Sequence, residues 1–167
     1  MEKYKTLNYA VKSNMEIKIV TFTETPVAAL EHIGPHQRVY DTTRKFLEWR
    51  KANGLSPGSC KTFGIHYSDH RSVPPQEYRF DICVSYAKEV KPNSQGVVSK
   101  LIPGGRCATF RHHGSREHIE GMDFLYGKWL ADSGEELRDY PPFFHYVNVG
   151  PDVAEHEMIT DVYAPLK

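Results

Sequence analysis

Aromatic and acidic side chains alternate along two segments near the carboxyl end of the chain. In the segment FFHY, which begins at residue 143, the two-residue period of a strand puts Phe144 and Tyr146 on one face. In the last strand-like segment, the same period puts Asp161 and Tyr163 on one face. Aromatic rings bind flat organic molecules by contact area and stacking, and a carboxylate offsets a positive charge on such a molecule. These residue types are typical of a small-ligand site, and core packing is the alternative for the aromatic pair.

Metal and nucleophile chemistry is not indicated by the remaining polar residues. His66 and His70 have helical spacing, but their segment is typical of a strand and a loop. The histidines of residues 112–118 have no cysteine or acidic partner at zinc-site spacing. The chain has no GxSxG and no nucleotide-binding fingerprint, and Cys83 lies in an apolar strand where an unreactive thiol is expected. We therefore expect no metal, no cofactor and no nucleophilic catalysis.

Composition limits the partners and the compartment. The 167 residues include 21 basic and 21 acidic side chains, whereas nucleic-acid binders usually carry a basic surplus. No apolar run approaches the roughly 20 residues that span a bilayer, and the polar amino terminus does not resemble a signal peptide. The three cysteines show no CxxC spacing, which indicates reduced thiols. We expect a cytoplasmic protein that binds neither DNA nor membranes directly, because the first 14 residues are too few for a helix-turn-helix.

The sequence is similar to itself at an offset of 80 residues. The matches include a tryptophan pair and two glycine pairs, residue types that mark special packing and backbone positions. The identical pairs are Ala28/Ala108, His32/His112, Gly34/Gly114, Trp49/Trp129, Gly54/Gly134, Phe63/Phe143, Glu77/Glu157 and Asp81/Asp161. Coincidence between two amphipathic helices flanked by strands is the alternative. The offset predicts two repeats, at about 16–87 and 96–166, after a polar extension over 1–14.

Each repeat is predicted to contain strands around one helix. Alternating apolar residues predict a first strand within 15–22, and apolar spacing of three and four predicts helices over 37–52 and 116–130. Pro103-Gly104-Gly105 indicates a hairpin turn between the first two strands of the second repeat. The last two strands are predicted to form another hairpin.

These elements predict an α+β fold. Two pseudo-symmetric strand-helix-strand-strand repeats would pair edge to edge into one curved antiparallel sheet. Both helices would lie on one face, with a cleft between the halves, which is a usual place for a ligand pocket.

The order of several short motifs resembles one known family. PVAALEHIGPH is similar to its first strand and Gly-Pro end, FLEWRKANGL to its helix end, and IPGGRCATFRHHGS to its second hairpin. The segments GIHYSDHRSVPPQEYRFDICVSY, KWLADSGEELRDYPPF and DVYAPL are similar to its variable loop and strands, its Trp-Leu and Pro stretch, and its closing strand. From about residue 15 to 166 the chain resembles the GyrI-like small-molecule-binding domain. That domain occurs alone in the bacterial DNA gyrase inhibitor and as the effector-binding domain of AraC-type and MerR-type multidrug regulators.

The resemblance implies a single effector-binding domain over 15–167 with a pocket for lipophilic, often cationic, molecules. Among standalone members, the chain most resembles cationic-drug-binding modules carried on integron cassettes. Ligand-binding members carry a glutamate in the strand after the Pro stretch, where this chain has Phe144. The hydrolase activity of some members depends on that acid, so its replacement counts against catalysis here.

The resemblance also implies which side chains line the pocket. Family members use positions corresponding to Asp161 and Tyr163, and Asp81, the repeat mate of Asp161, is a second candidate acid. Turn capping, or pairing with an arginine such as Arg79, is the alternative for both acids. The aromatic candidates, for which core packing is the alternative, are Phe144, Tyr146, Phe80, Phe110 and Trp129.

Three functions follow from this interpretation. We predict a noncatalytic protein that senses or sequesters small amphipathic, cationic compounds. The alternative is an interaction protein that modulates DNA gyrase or acts in trans with a transcription regulator. A hydrolase on the same pocket is the third candidate, and the replacement of the glutamate by Phe144 counts against it.

Overall fold

Eight short segments rich in β-branched and aromatic residues form the strands of one antiparallel sheet. The structure, a computed structural model, describes residues 15–167, and the predicted extension over 1–14 lies outside the described residues. The strands are β1 (Lys18–Phe22), β2 (Thr25–Ile33), β3 (Thr62–His66), β4 (Arg79–Ser85), β5 (Val98–Ile102), β6 (Gly105–His113), β7 (Phe143–Tyr146) and β8 (Ile159–Pro165).

Two helical regions connect the strands. Helix α1 (Val39–Ala52) follows a short turn of 3₁₀ helix and confirms the first predicted helix. The second region is continuous and consists of α2 (Gly121–Phe124), a π-helical turn (Leu125–Trp129) and α3 (Leu130–Ser133). It begins at Gly121 rather than at Arg116, because the Arg116 side chain is bound to β8 and the preceding segment is irregular. None of the helices within 15–167 is long and apolar enough to cross a membrane.

The predicted repeat is confirmed at the level of single residues. β1, β2 and β4 recur at an offset of 80 residues as β5, β6 and β8, with identical bounds. The equivalent glycines after the two helices, Gly54 and Gly134, have φ angles of 67° and 72°. Both glycines end a helix in the left-handed conformation that residues with a Cβ rarely adopt.

The strand order is β1-β6-β8-β7-β3-β4-β2-β5, which corrects one prediction. β7 and β8 are neighbours, as predicted, and β3 pairs with β7 to join the two halves. The predicted hairpin at Pro103-Gly104-Gly105 is wrong, because β5 pairs with β2 and β6 pairs with β1. The first strand of each repeat is thus exchanged into the sheet of the other repeat.

Close backbone packing explains the exchange. The connection at Gly104 passes the equivalent connection of the first repeat, and a Cβ on Gly104 would lie 2.9 Å from the Glu24 nitrogen and 3.0 Å from the Phe22 oxygen. Glycine permits this approach. Because each short connection links an edge strand to a strand near the opposite edge, the sheet must curl into a half-barrel.

Strand register separates the sheet into two faces. On one face, α1 packs Phe46 and Trp49 against Ala28 and Val84, and the second helical region packs Leu125 in a cluster of β6, β7 and β8 residues. Cross-strand pairs connect these two surfaces, so both helices lie on one face, as predicted. A third cluster, built around Phe63, Ile65 and Phe143, covers the opposite face.

Candidate functional site

The two repeats meet where β3 pairs with β7. Gly64 and Phe144 are repeat mates and lie directly opposite each other in that register. A side chain on Gly64 would overlap the Tyr146 hydroxyl and would lie 2.7 Å from the Phe80 ring. His66 and Tyr146, also repeat mates, are hydrogen-bonded across the junction, with 3.3 Å between Nε2 and the hydroxyl oxygen. The pseudo-twofold axis of the fold therefore passes through this pair of strands.

A cavity of about 410 Å³ lies above this junction, on the face that carries the helices. Phe144 and His66 form its floor, with their ring centroids 4.0 Å apart. The Phe80 ring packs 5.0 Å from the other side of His66. The floor is therefore an aromatic surface at the centre of the curved sheet.

The two repeats supply different walls. The wall from the first repeat is aromatic: the rings of His36 and His70 are stacked with centroids 3.9 Å apart, and Tyr78 contacts both edge-on. The wall from the second repeat comes from the start of its helical region, and it consists of Ile119, Met122 and Tyr126. This asymmetry follows from different sequences at equivalent positions, since His36 and Arg116 are repeat mates.

One side of the cavity mouth is closed by the loop that follows β3. Arg71 of this loop forms an ion pair with Asp69 of the same loop, with 2.9 Å between Nη2 and Oδ2. Its Nη1 lies 3.1 Å from Nδ1 of His118, and its Nη2 lies 3.7 Å from Asp123. The loop of the first repeat is thus bound to the helical region of the second.

Arg116 is held in place by neutral groups. Its Nε donates to the Thr160 hydroxyl at 2.8 Å, and Nη2 donates to the carbonyl oxygens of Ile159 and Asn148 at 2.8 and 2.9 Å. The guanidinium carbon lies 5.0 Å above the Tyr146 ring. These contacts fix the guanidinium group at the edge of the cavity.

Burial makes most of the lining neutral at physiological pH. It lowers the pKa of His66 to about 3, so this imidazole on the floor is uncharged. It raises the pKa of Tyr78 to about 12, and it also raises the pKa of Tyr126. Desolvation, followed by the charge of His36, lowers the pKa of His70. Burial lowers the pKa of Arg116, but an arginine stays protonated in proteins.

The structure brings together part of the predicted aromatic set. Phe144 lines the cavity, while Tyr146 and Phe80 contact His66 from below and beside it. Phe110 and Trp129 belong to the core between the second helical region and the sheet. The shared face predicted for Phe144 and Tyr146 is confirmed, and the ligand-binding roles of all five residues remain predictions.

The predicted acids lie on the opposite face of the sheet. Asp161 is paired with His145 and Arg111 in the register and accepts two hydrogen bonds from Arg111, at 2.8 and 3.0 Å. Tyr163 stacks on Phe143 in the core of that face. Asp81 is fully buried there, where the Tyr67 hydroxyl and the Lys100 ammonium donate to its carboxylate at 2.8 and 2.6 Å. The sheet separates all three from the cavity.

Sequence reasoning missed most of the lining. The loop residues from Tyr67 to Arg71 and the segment around Arg116 carry no strand or helix period. One signal was available: His36, at the start of the first helical region, is the repeat mate of Arg116. Within 15–167, no three histidine, cysteine or acidic side chains come together as a metal-binding group.

The exchanged half-barrel with a cavity at its pseudo-twofold axis defines a class of ligand-binding domain. The family model of the GyrI-like small molecule binding domain matches residues 15–167, and the chain belongs to this family.

Known relatives share this domain over nearly their whole length. The chain is 37% identical to the "Probable transcriptional regulator YgiV" of Escherichia coli K12, over 91% of this chain and 96% of that protein. It is 25% identical to the "DNA gyrase inhibitor" of Erwinia billingiae, over 91% of this chain and 97% of that protein. The crystal structure of the EcmrR C-terminal domain has the same fold, with a TM-score of 0.71 at 17% identity, covering 92% of this chain and 98% of that one.

Proposed function

We propose that this protein binds small amphipathic aromatic compounds in the cavity between its two helical regions, and that it senses or sequesters them in the cytoplasm without altering them. The observation that carries the proposal is the cavity of about 410 Å³ with an aromatic floor and one aromatic wall. Membership of a small-molecule-binding family supports it.

The dimensions suit a drug-sized ligand. Binding pockets of about 300–1,000 Å³ are typical for such molecules, and most of their lining is apolar or aromatic. A flat ring system could lie on Phe144 and His66 and contact Tyr78 on one side and Met122 on the other. Such a ligand would gain affinity from buried area and from stacking.

The predicted positive charge of the ligand is not part of this proposal. A cation would meet aromatic faces in the cavity, but the carboxylates are at the rim. Asp69 and Asp123 already lie near Arg71, and the Glu117 side chain is 83% exposed. Solvent screening makes an exposed carboxylate a weak partner for a ligand.

Binding without chemistry is supported by the floor of the cavity. Phe144 stands where the resemblance places the acid on which hydrolysis depends. Ser68 is engaged by the backbone of Arg79, whose nitrogen donates to its hydroxyl at 2.9 Å. The serine hydroxyl therefore has a structural partner instead of a general base.

A protein partner is the second candidate function, and the relative named DNA gyrase inhibitor favours it. Tyr40 and Leu47 of α1 and Ile33 beside it are exposed apolar side chains, at 74%, 44% and 60%. A supercoiling assay with DNA gyrase tests this candidate directly, since an interaction protein of that kind would inhibit the reaction in the absence of any small molecule.

The ligand-binding proposal is tested with a neutral probe and a matched pair of substitutions. Pyrenebutanol is titrated into the wild type, Met122→Trp, which fills the cavity, and Leu47→Trp, which adds the same ring on the exposed surface of α1. We expect saturable binding that Met122→Trp weakens about tenfold or more and Leu47→Trp leaves unchanged. Absence of saturable binding, or equal affinity in all three folded proteins, would refute the proposal.

A further inference from the structure

We infer that the cavity selects ligands carrying a carboxylate or a comparable anionic group, which Arg116 binds. This inference rests on the proposed binding function and assigns the chemical class of the ligand. It reverses the sign of the charge that was predicted from the resemblance.

The floor offers nothing to a cation beyond ring faces. Phe144 replaces a carboxylate with an apolar ring, and the imidazole of His66 beside it is neutral. Every acidic side chain of the lining lies at the rim: Asp69, Glu117 and Asp123 are exposed. A buried ammonium group would therefore lose its hydration without gaining a buried counter-charge.

Arg116 presents the opposite situation. Among residues 15–167, no carboxylate lies within ion-pair distance of its guanidinium group, although the side chain is half-buried. Arg71, the other arginine of the lining, is paired with Asp69 and Asp123. Arg116 is thus the cation of the cavity whose charge the described protein leaves uncompensated.

The geometry of Arg116 prepares it for an anion. Nε and Nη2 are occupied by Thr160, Asn148 and Ile159, which hold the plane of the group in one orientation. Nη1 makes no hydrogen bond to any residue of 15–167 and is not among the buried unpaired atoms, so solvent or a ligand can reach it. A guanidinium group that is already ordered loses little freedom on binding, and its bonds to carboxylates are stronger than neutral ones.

The repeat supports the assignment from an independent direction. His36, the repeat mate of Arg116, lines the opposite side of the cavity, and its Nδ1 is buried without a hydrogen-bond partner in the described chain. Both halves therefore place a nitrogen-bearing basic side chain at the equivalent position before their helical region. Neither half places an acid there.

Three probes that share ring and linker separate charge from shape. Pyrenebutyrate, pyrenebutanol and pyrenebutylammonium are titrated by fluorescence into the wild type, and we expect pyrenebutyrate to bind roughly tenfold more tightly than pyrenebutanol, with pyrenebutylammonium weakest. Equal or tighter binding of pyrenebutylammonium overturns the anion assignment while the binding function stands. No binding of any probe removes both.

Variants assign the preference to Arg116. Arg116→Met should reduce the ratio of pyrenebutyrate to pyrenebutanol affinity to about one, whereas Arg44→Met, which removes an exposed arginine of α1 outside the cavity, should preserve the ratio. Arg116→Lys keeps the charge and should keep part of the preference, which provides a test if the methionine variant unfolds. A preference that persists in a folded Arg116→Met protein contradicts the inference.

Discussion

Gly64 and Phe144 occupy the same position in the two repeats and face each other across the pseudo-twofold axis. The missing side chain on one strand leaves space for the Tyr146 hydroxyl and the Phe80 ring, while the phenyl ring on the other strand forms the cavity floor. The duplication gave two equivalent backbones, and this glycine–phenylalanine difference makes the site asymmetric.

Adding one methyl group at this junction should be costly. In Gly64→Ala, the new Cβ would overlap the Tyr146 hydroxyl and the Phe80 ring, so Tyr146 must move toward the cavity. We expect a loss of about 1–3 kcal/mol in the free energy of unfolding, measured by urea denaturation. Gly127→Ala is the matched control because a Cβ there meets nothing within 4 Å, and in a helix it should stabilise by up to about 1 kcal/mol. Equal effects of the two substitutions would show that the junction is loosely packed.

An acid on the floor should change the charge of its neighbour. The Phe144 and His66 rings are in contact, and burial lowers the pKa of His66 to about 3. In Phe144→Glu the carboxylate would favour the imidazolium form and raise the pKa of His66, whereas the neutral Phe144→Gln should raise it much less. Proton-detected titration of the imidazole resonances measures both. Identical values in the two variants would mean that residue 144 does not point at His66.

The same buried histidine makes stability depend on pH. His66 has a lower pKa in the folded chain than the value of 6.5 expected when it is unfolded, so the unfolded state binds a proton that the folded state excludes. Its contribution is fully present above about pH 6.5 and is lost as the pH falls toward 3. Relative to His66→Gln, the wild type should lose on the order of 1 kcal/mol per pH unit in that window, measured by denaturant unfolding. Parallel curves for the two proteins would contradict the burial of a neutral imidazole.

The two repeat-mate acids should differ sharply in energetic importance. Asp81 is fully buried and accepts a hydrogen bond from Lys100, whereas Asp161 is bound by Arg111, whose side chain is 53% exposed. Lys100→Met leaves a buried carboxylate without its cation and should cost about 3–5 kcal/mol of unfolding free energy. Arg111→Met should cost less than about 1 kcal/mol, because exposed pairs are screened by water. Similar losses in thermal or urea unfolding would indicate that burial does not distinguish the two pairs.

The repeat offset predicted the element bounds closely because both copies kept their length. β2 and β6, or Gly54 and Gly134, coincide after the shift. The exchange of β1 and β5 could not be predicted, since Pro103-Gly104-Gly105 has the composition of a tight turn and strand periodicity does not identify the pairing partner. Only the backbone approach at Gly104 distinguishes a crossing connection from a hairpin.

The candidate site was predicted in part for a similar reason. Strand alternation correctly placed Phe144 and Tyr146 on one face, but alternation within a strand does not say which face of a curved sheet carries the helices. Asp161 and Tyr163 consequently lie on the opposite face. The walls come from loops, where the positions of His70, Arg71 and Arg116 depend on tertiary hydrogen bonds that no sequence period encodes.

The most direct test of the account locates the ligand. In protein with ¹³C-labelled methionine methyl groups, Met122 lines the cavity and Met158, at the start of β8, does not. Saturation with pyrenebutyrate should shift the Met122 methyl resonance strongly, because the pyrene ring current falls off steeply with distance, and should leave Met158 nearly unchanged. A saturable complex in which Met122 does not move, or in which Met158 moves more, would contradict a binding site between the two helical regions.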